Sequence, residues 1–309
     1  MSSSPNIGQQ KQNSHKWYNI EHLLSIVERL KASNRLRHIA FLIALAIFAV
    51  GLLACFLSAP DIFTQVTLKP FLVVLCLGVP LTLLLNAIEL ILTGRLIDKK
   101  IGFSFAFKMT LFGTAANMLP IPGGAVVRIA ALKTKGAELT EGTRATFAVG
   151  IIWLGVSLIY SGYWMASYSY ALGGLTAFGG VAALLLGSVL GLMRYKKFAV
   201  IFQIILLKVL ATILVTLRLI FCLLALGSAV SFSAAGTMTA ANVIGSAVMI
   251  VPAGIGINEG MTAVLAQVAG MSAALGFMAA LINRLAGLLA LCPITLYLYA
   301  KSGAGHADA

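Results

Sequence analysis

Charge is scarce in this chain. Only 10% of its 309 residues are Asp, Glu, Lys or Arg, against about 25% in an ordinary soluble domain, which excludes a soluble globular fold. Acid is scarcer still, with nine Asp and Glu against 22 Lys and Arg, for a formal net charge of +13. Histidine is absent from the apolar stretches. Its four copies fall at His15, His22, His38 and His306, which excludes an imidazole relay or a His-based metal site inside a membrane. The four cysteines, Cys55, Cys76, Cys222 and Cys292, sit singly in apolar sequence without metal-ligand spacing, and predict reduced packing residues instead of a disulfide framework. A Walker-type phosphate loop, an HExxH helix, an acidic metal cluster and a Gly-x-Ser-x-Gly elbow are all missing. The expectation is therefore no enzyme, no cofactor and no coupling to ATP. A cleavable leader is not expected either, because residues 1–38 are polar and the first apolar block is long enough to stay as an anchor.

What the chain has is apolar length. The apolar set makes up 60% of the residues and the mean hydropathy is +0.99, far too apolar for a disordered chain. Apolar blocks of about 20 residues recur, the length a helix needs to cross a hydrocarbon core. Six read as full spans: 39–58, 71–93, 145–166, 173–193, 199–226 and 272–299. Residues 1–14 form a polar tail. Residues 15–38 place Trp17, Ile20, Leu23, Leu24, Val27 and Leu30 at helical spacing among basic residues. That suits a helix lying on an anionic membrane surface, or a basic flank that only sets orientation. The domain reading is a tail with an interfacial helix over 1–38, a membrane domain over 39–300 and a second tail over 301–309.

The basic residues are unevenly placed. Eighteen of the 22 fall in residues 1–38, in the connections 94–108, 127–144 and 194–197, and at Lys301. The connections facing them hold Lys69, and Tyr160, Tyr163, Trp164, Tyr168 and Tyr170 cluster there as an aromatic belt. The asymmetry puts the basic side and both termini in the cytoplasm. Topology thus accounts for the positive charge, and no nucleic-acid partner is expected.

Two stretches fit no simple span and resemble each other: GTAANMLPIPGGAVVR from Gly113 to Arg128 and GSAVMIVPAGIGINEG from Gly245 to Gly260. An offset of 132 aligns Gly113 with Gly245, Pro120 with Pro252 and Gly124 with Gly256. Each copy then runs through a Gly-x5-Gly (Gly136 and Gly142; Gly270 and Gly276) into a full span, so the motifs extend over about 113–166 and 245–299. Three spans separate the copies, an odd number, which predicts two re-entrant broken-helix hairpins related as an inverted repeat. The fold class is an all-α polytopic membrane protein.

Backbone freed at a Pro–Gly break costs several kcal/mol per unsatisfied group in hydrocarbon, so such breaks persist where protein or water covers them. Half-helix N-termini can hold anions, and Gly123, Gly124, Gly254 and Gly256 would let backbone approach a ligand. Tight helix packing is the alternative explanation. Arg128 follows the first break by one turn and is the candidate anion contact. Glu259 falls in the first turn after the second break, where the helix dipole favours it. Arg284, in the middle of the last span, needs a partner, and a Glu259–Arg284 pair is the economical one. Thr82, Asn86, Glu89 and Thr93 share one face of the second span, and Lys208, Thr212 and Thr216 one face of the fifth, with Arg218 turned by less than a right angle. Lys208 could snorkel. The sum is a cationic intramembrane cavity for an anionic guest. In the fourth span, Ala183, Gly187 and Gly191 form a small-residue face suited to close packing.

The stretch NMLPIPGGAVVRIAAL with Gly136, then VPAGIGINEGMTAVLAQVAG and ALINR, resembles the lysylphosphatidylglycerol synthase transmembrane region, or flippase-like family, over roughly residues 35–300. The resemblance implies a bacterial or archaeal inner-membrane protein that moves lipids or lipid-linked molecules between leaflets. The family's first motif falls on Asn117, Pro120, Pro122, Gly123, Gly124 and Arg128, its second on Pro252, Gly254, Gly256, Glu259 and Gly260, with Arg284 following. Asn258 stands where many relatives carry Arg. The chain ends at Ala309, so the family's aminoacyl-transferase domain and lipid aminoacylation are not expected. The functional expectation is a translocase for an anionic phospholipid or a polyprenyl-phosphate-linked glycan. Arg128, Asn117, Gly123, Gly124, Gly254, Gly256, Lys208 and Arg218 would bind substrate, while Glu259, Arg284, Glu89, Asn86, Pro120 and Pro252 would gate or support the site. The rival reading is a membrane scaffold or regulatory subunit whose partners are lipid or glycan biosynthesis enzymes.

Overall fold

The computed structural model describes residues 34–58, 67–117, 123–247 and 255–304. Residues 1–33 of the tail and interfacial helix expected over 1–38, Pro120, Pro122, Pro252 and Gly254, and residues 305–309 lie outside the described residues, while residues 34–38 form the first turn of α1. The described chain is helical throughout: α1 (Asn34–Ser58), α2 (Leu68–Leu96), α3 (Phe103–Ala116), α4 (Gly123–Thr134), α5 (Leu139–Met165), α6 (Tyr170–Tyr195), α7 (Phe198–Ala225), α8 (Phe232–Ala247), α9 (Ile257–Val268) and α10 (Ala273–Ala304). Among the described residues α2, α5, α6, α7 and α10 are long and apolar enough to span a membrane. The sixth expected span falls on α1, 25 residues long. The chain is an all-α polytopic membrane protein, and its exposed Leu, Phe, Val and Met side chains form the lipid-facing surface expected of one.

The repeat is visible in the turns. After α2, the N–H of Lys99 donates to Gly94 O (2.8 Å) with Asp98 at φ 59°; after α7, that of Ser228 donates to Leu223 O (3.0 Å) with Gly227 at φ 72°. After α4, the N–H of Ala137 donates to Leu132 O (3.1 Å) with Gly136 at φ 84°; after α9, that of Met271 donates to Ala266 O (2.8 Å) with Gly270 at φ 72°. Each is a helix stop whose left-handed residue lets the chain reverse. The half-helices α4 and α9 are both 12 residues long. The single offset of 132 is therefore corrected to two, 129 before the breaks and 134 after them, and Gly124 corresponds to Asn258 instead of Gly256.

The two copies run in opposite directions. At one end, Lys197 donates to Arg95 O (2.9 Å) and pairs with Asp98, while Tyr195 Oη donates to Glu141 O (3.4 Å). At the other end, the N–H of Thr67 donates to Ala225 O (2.7 Å), and the Tyr168 hydroxyl hydrogen-bonds Ser233 (2.9 Å). Hence α2 descends where α7 ascends. The α3–α4 hairpin enters from the end carrying Lys99, Lys100, Lys133, Lys135, Lys196 and Lys197, and the α8–α9 hairpin from the end carrying Lys69. Two apolar cores form, each drawing on both repeats: Leu90, Leu96, Leu132 and Ile152 pack with Ile204 of α7 in one, and Leu219, Leu223, Met238 and Phe277 pack with Leu83 of α2 in the other.

Helix α6 lies between the copies and outside them. A Cβ on Gly155, Gly162, Gly173, Gly180 or Gly187 would come within 2.4–2.8 Å of a backbone nitrogen on the facing helix, so α5 and α6 pack backbone to backbone. The small-residue face read from the sequence at Gly187 belongs to this seam.

Candidate functional site

The polar residues of the spans collect where α2 meets α7, and they divide into two groups. Glu89 is the centre of the first. Its Oε1 accepts from Arg128 Nη1 on α4 (2.5 Å), and its Oε2 from Arg128 Nη2 (3.3 Å) and from Lys208 Nζ on α7 (2.6 Å). Glu89 is 2% exposed, and Lys208 lies under the Trp153 ring, 5.3 Å from its centroid. Lys208 therefore does not snorkel. A buried carboxylate holds it in place, and the group of two cations and one anion keeps one net positive charge.

The second group surrounds an open cleft of about 190 Å³, lined by Arg218 from α7, Asn242 and Gly245 from α8, Asn258 from α9, and Asn283, Arg284 and Gly287 from α10. Behind Arg284 lies Glu259, fully buried, with Oε1 accepting from Arg284 Nε (2.6 Å) and Oε2 from the N–H of Gly256 (2.8 Å). Glu259 thus caps α9 and holds Arg284 with one side chain. Gly256 has φ 79°, a conformation that suits glycine and turns the chain into α9.

Arg218 is placed differently. Its Nη1 donates to Thr82 Oγ1 (2.9 Å), whose own hydroxyl donates to Gly78 O (2.8 Å), and its Nη2 reaches Asn283 O (3.5 Å). Among the described residues no carboxylate lies within ion-pair distance of it. Its Nε and the Oδ1 of Asn283 are buried without hydrogen-bond partners. Gly78 makes room for the stem, since a Cβ there would sit 2.8 Å from Arg218 Cγ. Gly78 ends a π-helical turn, Val74–Gly78, and Pro80 stands two residues on, where its missing N–H suits the interrupted ladder.

The remaining candidates have structural places. Asn117 Oδ1 accepts from the N–H of Gly124 (2.6 Å), so the first half-helix is capped by its own chain. A Cβ on Gly123 would meet Ala116 O at 2.1 Å, and one on Gly124 would meet Asn117 Oδ1 at 2.6 Å, so both glycines serve the close approach of α3 and α4. Thr212 and Thr216 bind neighbouring helices through Ser157 (3.0 Å) and Thr239 (2.9 Å). Asn86 lies half-buried on α2 between Thr82 and Glu89. Sequence reading brought Arg128, Lys208 and Arg218 into one cavity; the structure separates Arg218 from the other two. It also adds Asn242, Asn283 and Gly287, of which only Asn283, beside Arg284, carried a signal in the sequence.

Residues 192–294 match the family model described as Lysylphosphatidylglycerol synthase TM region. The match supports the family resemblance read from the sequence. The lysylphosphatidylglycerol synthase TM match covers α7, α8, α9 and most of α10, a third of the chain that contains every residue lining the cleft. No curated protein matches the chain.

Proposed function

We propose that this protein is a translocase that moves an anionic phospholipid or a polyprenyl-phosphate-linked glycan between leaflets of a bacterial inner membrane, with both termini in the cytoplasm. The observation that carries the reading is Arg218: a cation inside a span, without a carboxylate partner among the described residues, beside a polar cleft. A lone intramembrane cation is expensive unless it serves an anion or a wet path. Arg284 is neutralised by Glu259, so the cleft keeps one positive charge for one phosphate group. Acyl chains would stay in the bilayer while the head group enters between α7, α8 and α10. The reading requires no reaction centre, and membrane lipids are the partners it names.

Mass spectrometry of lipids that co-purify with wild type and with Arg218→Gln tests the binding part, after thermal unfolding shows both to be folded. Enrichment of one anionic lipid class in wild type, reduced several-fold in Arg218→Gln, is the expected result. Identical profiles matching the bulk membrane in both would overturn it.

A further inference from the structure

The two offsets allow the open cleft to be mapped onto the other repeat. Of the seven residues that line the cleft, subtracting 129 before the break and 134 after it carries six as follows: Arg218 to Glu89, Asn242 to Gly113, Gly245 to Ala116, Asn258 to Gly124, Arg284 to Gly150 and Gly287 to Trp153; the seventh, Asn283, falls on the buried apolar Val149. These six positions come from α2, α3, α4 and α5, in the order in which α7, α8, α9 and α10 supply the cleft. Among the described residues, α3 and α4 lie in contact at their crossing. Gly113 packs on Gly124, with a Cβ 3.6 Å from the Gly124 Cα, and Lys208 reaches two of the six positions, Glu89 and Trp153. Arg128 ties α4 to α2 through the same carboxylate. A Cβ at Gly113 would make only ordinary contact and one at the exposed Gly150 would meet nothing within 4 Å, whereas at Gly124 the space is taken by Asn117 Oδ1, 2.6 Å from a Cβ there.

We propose that the first repeat holds a latent second cleft, lined by Glu89, Gly113, Ala116, Gly124, Gly150 and Trp153, which opens as the present one closes. The Glu89–Arg128 pair is its latch. Glu89 retains Lys208 when Arg128 leaves, so the latch opens without stranding a buried carboxylate. The released Arg128 then meets the anionic head group at the basic end, as Arg218 does in the present cleft. Opposite entry of the two hairpins makes this an exchange between the two faces. The inference rests on the translocase reading for its guest, a single phosphate group, and on the repeat geometry for its site.

Cysteine accessibility tests it in full-length protein whose Cys55, Cys76, Cys222 and Cys292 are replaced by Ala. Gly113→Cys fits the closed state, because its Cβ makes ordinary van der Waals contact, and Asn242→Cys reports the present cleft. In proteoliposomes a membrane-impermeant maleimide should label Asn242→Cys and spare Gly113→Cys. Adding Glu89→Gln, or the milder Arg128→Gln that leaves Glu89 with Lys208, should raise labelling of Gly113→Cys about tenfold and lower that of Asn242→Cys. In the Glu89→Gln variant, which keeps Arg128, vesicles containing phosphatidylglycerol should protect Gly113→Cys, and phosphatidylcholine vesicles with inorganic phosphate should not; Arg128→Gln, which lacks the head-group contact, should open without that protection. Unchanged labelling of Gly113→Cys in both folded latch variants overturns the proposal. Labelling that rises there without falling at Asn242→Cys overturns the exchange, and equal protection by inorganic phosphate overturns the lipid guest. Leaflet exchange measured on the same vesicles separates the two readings. Alternating labelling without exchange removes the translocase alone, and exchange with fixed labelling removes the latent cleft alone.

Discussion

Glu89 and Glu259 are both buried carboxylates inside the membrane, yet they should respond differently to substitution. Glu89 holds two cations, so removing either leaves the other in place. Lys208→Met and Arg128→Gln should each cost about 1.5–3 kcal/mol, the range for a hydrogen bond to a charged group. Glu89→Gln strands both cations and should cost about 3–5 kcal/mol. Thermal unfolding in detergent reads the difference, and similar losses in all three variants would count against a shared carboxylate. Glu259 holds Arg284 and the N–H of Gly256 at once, so Glu259→Ala should lower stability more than Arg284→Ala, which leaves the cap intact. Equal losses would show that the cap contributes nothing.

At the scale of elements, the repeat was legible because glycine and proline punctuate it. Gly136 and Gly270 mark the stops of α4 and α9, and their spacing from Gly142 and Gly276 is identical. The register was less legible. A conserved spacing on one side of the break concealed a change of five residues across it, because no periodicity crosses an interrupted helix. The Glu259–Arg284 contact could be reached from the sequence, since a mid-span arginine needs an anion and few are present. The Glu89 cluster could not, because it joins three helices far apart in sequence. The glycines of the first break invited a ligand reading, whereas their neighbours show that α3 needs the space. The seam between α5 and α6 gives a further test. A Cβ on Gly155 would lie 2.4 Å from Leu184 N, and backbone cannot rotate away. Gly155→Val should therefore lower stability by about 1–3 kcal/mol or more, while Gly174→Ala, which meets nothing within 4 Å, should leave the unfolding temperature unchanged. An equal response at the two sites would contradict backbone-to-backbone packing.

For the whole molecule, two antiparallel copies place one cationic group in each half of the bundle. Thr82 and Glu89 lie seven residues apart on one face of α2, about 10 Å at 1.5 Å per residue, and Asn86 lies between them. Arg218 sits near one end of that ladder and the Glu89 cluster at the other. A head group crossing the bilayer along α2 would thus pass from one positive centre to the next with a polar residue midway, which limits the desolvation cost of carrying a charge through hydrocarbon. Exposed apolar side chains on α6, α2 and α7 would face lipid on the outside of such a path. The measurement that tests the account most directly is leaflet exchange of a fluorescent anionic phospholipid in proteoliposomes, read by quenching of the outer leaflet with a membrane-impermeant reductant. Wild type should expose the inner-leaflet probe well above the rate of protein-free vesicles, and folded Arg218→Gln should lose about tenfold or more of that excess. Wild-type exchange no faster than in empty vesicles, or an Arg218→Gln protein as fast as wild type, would contradict it.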